Sequence, residues 1–129
     1  MSIQFFITPY EPSEWEMSSI DLKIDLIEMK RNFLERWPNA EFSSTPKGGL
    51  TWNIREENSA GFFGSVQHNL QIVSFNPGNW RTILDFIIWY REFVPPIYKL
   101  FLFNSTSSNS LELTPNTTRE TVSRFVFGS

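Results

Sequence analysis

The chain opens with a short apolar run, Ile3 to Thr8, followed by Pro9 and Pro12, and this reads as a strand stopped by residues that cannot continue it. From Ser19 to Trp37 the apolar residues recur at helical spacing. A helix is expected there, capped by Ser18, with Asp21 in its first turn where the dipole favours an acid, and ended by Pro38. At about 100° per residue, Ile20, Ile24, Ile27 and Leu34 share one stripe and Leu22, Leu26, Phe33 and Trp37 an adjacent one. Asp21, Asp25, Glu28 and Asn32 lie opposite. So wide an apolar arc predicts packing on a sheet and on a second element.

The middle of the chain changes to period two. Glu41 to Ser44 is a short strand and Thr45-Pro46-Lys47-Gly48-Gly49 a turn. Leu50, Trp52 and Ile54 then alternate with Thr51, Asn53 and Arg55 as the two sides of a strand reaching Glu56. Glu57-Asn58-Ser59 turns back into strands Gly61 to Gln67 and Leu70 to Phe75, with His68-Asn69 between them. Asn76-Pro77-Gly78 turns again, and Asn79 is placed to cap a second helix, Trp80 to Phe93. That helix is apolar nearly all round. Only Arg81, Asp85 and Glu92 mark an outer side, so it should be the most buried helix. Pro95-Pro96 stops it. Tyr98 to Phe103 and Ser110 to Thr114 read as a strand pair, and Thr117-Thr118-Arg119-Glu120 as a capping box for a short last helix with Val122, Phe125 and Val126.

The expected order is β-α-β-β-β-β-α-β-β-α. Short turns between consecutive strands predict a mostly antiparallel sheet of five to seven strands. The expectation is one α+β domain over residues 1–129, with two main helices packed on one face.

Composition adds three constraints. Aromatic residues make up 16% of the chain, enough for a thick core or for an aromatic surface kept for a partner. Cysteine is absent, which removes disulfides, thiol chemistry and cysteine-ligated metals. Net charge is −3 and uneven: residues 11–28 carry six acids against Lys23 alone. Such a segment repels nucleic acid and anionic membranes and attracts a basic protein, although most charge runs only solvate a surface. The first residues lack the pattern of a secretory leader, and no apolar run is of spanning length, so a cytoplasmic location is expected.

Catalytic constellations are scarce. His68 is the single histidine, so no second imidazole or thiolate completes a metal site. Gly61-Phe62-Phe63-Gly64-Ser65 fits neither a nucleophile elbow nor a phosphate loop. Glu56 and Glu57 are neighbours on a strand and point to opposite sides. Asp21, Asp25 and Glu28 share a helix face without a calcium-loop pattern. No enzyme activity, cofactor or metal is expected.

Five residues stand out for binding. Arg31 falls at the angle of Ile24 and Ile20, and Arg91 between Ile87 and Leu84, so each puts a cation in an apolar stripe. Such a charge must snorkel, pair or bind something. Trp15 sits between Glu14 and Glu16 in an acidic segment, placed either to anchor a partner or to fold over a sheet edge.

The stretch Asp85-Phe86-Ile87-Ile88-Trp89-Tyr90-Arg91-Glu92-Phe93-Val94-Pro95, with Leu111-Glu112-Leu113-Thr114-Pro115 and Thr118-Arg119-Glu120, resembles the C-terminal half of small bacterial proteins without assigned activity. The layout of an acidic antiparallel sheet with two helices is also similar to immunity proteins of bacterial toxin systems. That similarity implies fold alone and carries no residue over. The function expected is a non-catalytic protein-interaction domain, of immunity type, binding another protein or a second copy. The alternative is a small-ligand site between sheet and helices lined by Trp52, Trp89 and Arg91.

Overall fold

In the computed structural model the described residues are 4–11, 20–55, 61–67, 69–76, 80–106 and 109–127. Strand β1 (Phe5–Thr8) leads to helix α1 (Leu26–Arg36) and then to four strands, β2 (Glu41–Ser44), β3 (Leu50–Ile54), β4 (Phe62–Val66) and β5 (Val73–Phe75). Helix α2 (Trp80–Phe93), the pair β6 (Leu100–Asn104) and β7 (Ser110–Leu113), and helix α3 (Arg119–Phe127) complete the α+β fold. The element order is the one the hydrophobic pattern predicts.

All seven strands join one antiparallel sheet in the order β2-β3-β4-β5-β1-β6-β7. Strands β2 to β5 pair in chain order, each with the next, and β6 pairs with β7. The N-terminal strand closes the gap between them, pairing Ile7 with Val73 on one side and with Leu102 on the other. Because β5 and β6 both run antiparallel to β1, they run parallel to each other and need a crossover, which α2 provides.

One face of the sheet holds the core. Phe5, Ile7, Leu50, Trp52, Phe75 and Leu102 alternate inward and are buried in one cluster with Met29 and Phe33 of α1, Phe86 and Tyr90 of α2 and Val122 of α3. All three helices therefore lie on that face. Phe86 is the hub of the aromatic packing, 5.1 Å from both Trp52 and Phe75 and 5.3 Å from Phe62, ring centre to ring centre. Gly64 permits this arrangement. It pairs with Trp52, and a Cβ there would collide with the Trp52 ring and the Ser74 carbonyl.

Three local expectations change. Helix α1 begins at Leu26, not at Ser19. Asp25 is its cap, accepting from the N–H groups of Ile27 at 3.0 Å and Glu28 at 3.2 Å; Ser18 and Asn79 lie outside the described residues. Residues 20–25 lie outside the helix. Leu22 and Ile24 are buried, Asp21, Lys23 and Asp25 are exposed, and Ile24 N–H donates to the Leu70 carbonyl at 2.8 Å. β5 starts at Val73 rather than Leu70, because Leu70 has φ 60 and turns the chain there. The cap of α3 shifts by one residue: Thr118 Oγ1 accepts from Thr121 N–H, while Thr117 Oγ1 accepts from Thr114 N–H in the preceding turn.

Candidate functional site

Arg91 sits in the last turn of α2 and is only 5% exposed. Its Nη1 donates to the carbonyls of Tyr98 and Leu113 at 3.0 and 3.1 Å, and its Nη2 to those of Val94 and Pro95 at 3.0 and 3.1 Å. Three of these carbonyls belong to the end of α2 and the turn after it, where the dipole favours a cation. The fourth ends β7. Burial pulls the guanidinium below its usual range, opposed by the neighbouring Tyr90 phenol. Among the described residues Nε finds no hydrogen-bond partner. The sequence reading of a cation inside an apolar stripe holds for Arg91, and what satisfies it is backbone. It ties the end of α2 to the sheet and presents no free donor pair to a ligand.

Arg31 does not lie in the apolar stripe. Its side chain is 66% exposed and pairs with Glu28 one turn earlier. The reason is the shortened helix. The alignment with Ile20 and Ile24 requires a helix from Ser19, and those two residues lie before the helix begins. The inward side of α1 runs through Met29 and Phe33 to Trp37. Arg31 therefore shares the outer flank with Ile27, 80% exposed, and Leu34, 38% exposed. These two were expected in the core. Their exposure follows from the same shift, and the signal for it is Asp25, as good a cap as the serines at 18 and 19 and placed immediately before Leu26.

Trp15, Glu14 and Glu16 lie outside the described residues, as do His68, Glu56 and Glu57. Arg31 and Arg91 do not share a surface, since one is exposed and the other buried.

The space between sheet and helices, where a ligand was the alternative expectation, is filled with rings. Phe33 lies 5.5 Å from Trp52 and 5.3 Å from Trp89, and Phe86 lies 5.8 Å from Trp89. Trp52 is buried in this packing, and Arg91 is buried among the backbone carbonyls at the end of α2. A groove of about 390 Å³ lies elsewhere, around the β2–β3 turn, lined by Thr45, Pro46, Lys47, Thr51, Ser65, Val66 and Gln67.

Asp85, an outward residue of α2 by the hydrophobic pattern, is the ionic centre of the helical layer. One carboxylate oxygen accepts from Arg36 of α1 at 3.1 Å and the other pairs with Arg119 of α3. This bracket holds α1 in place against α2. The flank carrying Ile27, Arg31 and Leu34 is thus presented on a fixed helix, capped at one end and bridged at the other.

Among the described residues no group of three His, Cys, Asp or Glu side chains comes together to hold a metal, and no helix is long and apolar enough to cross a membrane. Comparison with protein-family models, with curated proteins and with solved structures finds no match to this chain.

Proposed function

We propose that this chain is a non-catalytic protein-interaction domain whose contact surface for a foreign protein is the outer flank of α1. The observation that carries the reading is the exposure of Ile27 and Leu34, 80% and 38%, on either side of Arg31. Apolar side chains one and two turns apart around an arginine are the arrangement by which a helix anchors to a partner. The rest of the helix argues that this is a surface and not a loose end, because Met29 and Phe33 are buried beneath it.

The charge around the flank bears on the kind of partner. Asp21, Asp25 and Glu35 are exposed on the same stretch, and the chain as a whole carries −3. A basic protein is the partner such a surface draws, with an encounter rate that falls as salt rises. The similarity of layout to immunity proteins extends the reading to neutralisation of that partner, and it is an analogy of fold. The packed rings between sheet and helices give the small-ligand alternative no support.

The test is affinity capture from the source cells with tagged wild type and with the double variant Ile27→Asp, Leu34→Asp. The expected result is one partner recovered in near-equal amount with the wild type, diminished in 0.5 M salt (about a 4 Å screening length), and absent with the variant. Recovery of the same partner by the folded variant would overturn the assignment to α1. Capture of nothing by the wild type would overturn the interaction reading itself.

A further inference from the structure

The 390 Å³ groove at the β2–β3 turn lies on the side of the sheet away from the helices. Its strand residues, Thr51 and Ser65, are paired across β3 and β4. Their neighbours Trp52 and Val66 are in the core, so Thr51 and Ser65 face outward. The wall is a turn held in one shape. Thr45 N–H donates to the Gly49 carbonyl at 3.0 Å, Gly48 N–H to the Thr45 carbonyl at 3.1 Å and Gly49 N–H to Thr45 Oγ1 at 2.8 Å. Pro46 fixes one φ of the turn, and Gly48 supplies the left-handed one, φ 96. At Gly49 a Cβ would collide with the Val66 carbonyl, so glycine lets the turn lie close against β4. The groove is therefore shaped before anything enters it, which lowers the cost of binding.

The hydroxyls around it are already engaged. Thr45 Oγ1 holds Gly49, Thr51 Oγ1 donates to the Ser43 carbonyl at 3.3 Å, and Ser65 Oγ shares a hydrogen bond with Ser74 Oγ at 3.1 Å. Two polar side chains are not. The Lys47 ammonium and the Gln67 carboxamide have no hydrogen-bond or ionic partner among the described residues. Glu41, the acid of β2, is taken by Arg55 at 3.3 Å. Most of the remaining lining is carbon. Beside the groove stands an apolar platform. Phe63 is 53% exposed and points outward because Phe62 faces the core. It precedes Ser65 by two residues on the same side of β4, roughly 7 Å at strand spacing.

We propose that this groove binds a small carboxylate carrying an apolar chain or ring, with the carboxylate received by Lys47 and Gln67 and the body reaching toward Phe63. A carboxylate accepts from an ammonium and an amide NH₂ at once, and the bond to the ammonium is charge-assisted. One cation and one neutral amide balance a single negative charge. A phosphate dianion would leave a charge unmatched on a chain that already carries −3. A neutral molecule would leave Lys47 without a partner, and a carboxylate with no body would leave the carbon lining wet. The volume suits such a molecule, since small-molecule sites run from about 300 to 1,000 Å³. The groove and the outer flank of α1 are on opposite sides of the sheet, so each proposal can fail alone.

The test is an NMR titration of the isotope-labelled full chain with phenylbutyrate, its neutral amide, acetate and inorganic phosphate. The expected result is saturable movement of the backbone N–H signals of Gly49, Thr51, Ser65 and Gln67 with phenylbutyrate, at a dissociation constant of about 1 mM or below. The neutral amide lacks the charge and acetate lacks the body, and each should bind about fivefold more weakly. Lys47→Met keeps the stem and removes the charge, so it should bind phenylbutyrate and the neutral amide alike. Phe63→Thr keeps a strand-compatible residue and should weaken phenylbutyrate about threefold while leaving acetate unchanged. No saturable movement of these signals at about 10 mM phenylbutyrate overturns the proposal. So does a wild type that binds acid and neutral amide equally, one that binds phosphate more tightly than phenylbutyrate, or a Lys47→Met variant that still prefers the acid.

Discussion

Arg91 Nη1 and the carbonyl of Leu113 meet at 3.1 Å, joining the last turn of α2 to the last residue of the edge strand β7. The same guanidinium holds three further carbonyls and no carboxylate. A planar fork can span such a set, whereas a single ammonium cannot.

Arg91→Met should therefore lower stability by about 3 kcal/mol or more, because buried acceptors lose their donors. Arg91→Lys should recover less than half of that. Chemical denaturation of the three proteins checks it. Binding by the folded fraction of each should match the wild type, since Arg91 contributes no exposed donor.

Asp85 joins Arg36 and Arg119 at partly exposed positions. Each pair is worth about 1 kcal/mol or less once solvent screening is counted. Asp85→Asn should cost about 1 kcal/mol in low salt and less in 1 M salt. A cycle with Arg36→Ala should show coupling that shrinks in step with the screening. Equal cost at both salt concentrations would point to packing instead.

How far the sequence reveals this fold depends on which interactions write the pattern. α2 is legible because its apolar run is long and bounded by prolines. The β3 alternation is legible because one side of that strand is core and the other solvent. The start of α1 is misread because Ile20-Asp21-Leu22-Lys23-Ile24-Asp25-Leu26 also alternates at period two, and its apolar members fit a helical wheel equally well. What decides is tertiary: Leu22 and Ile24 pack on the core while Ile24 bonds Leu70. That one shift moves Ile27, Arg31 and Leu34 from the expected core to the surface. Arg91 is legible as an anomaly and not as a staple, since its partners are carbonyls that no side-chain pattern announces. Phe62-Phe63 shows in the sequence that one ring must leave the core, and only the sheet shows which.

Tyr90 is fully buried in the core with no hydrogen-bond partner for its hydroxyl among the described residues, and burial pushes its phenol far above the usual range, against the pull of Arg91. In the unfolded chain the phenol ionises near 10, while in the folded protein it stays protonated. Between those two values the unfolded state binds fewer protons, so stability falls as pH rises above about 10, by up to about 1.4 kcal/mol per pH unit. Tyr90→Phe should flatten that slope and cost little at pH 7 (on the order of 1 kcal/mol either way). Denaturation midpoints at pH 7, 9, 10 and 11 measure it; Tyr10, also raised by burial, leaves a residual slope.

Gly64 fits a space set by Trp52 and Ser74. Gly64→Ala should destabilise by about 1–3 kcal/mol through overpacking. Gly64→Ala with Trp52→Phe should recover part of the loss, which thermal melts of the single and double variants would show.

The outer flank of α1 is the surface proposed to touch another protein. A photocrosslinking residue at position 27, in living source cells, reads that contact directly, with position 92 as another exposed site, on α2, for comparison. One discrete adduct is expected from position 27, lost when Leu34→Asp is added, and none from position 92. No adduct at position 27, or the same adduct from both positions, would contradict it.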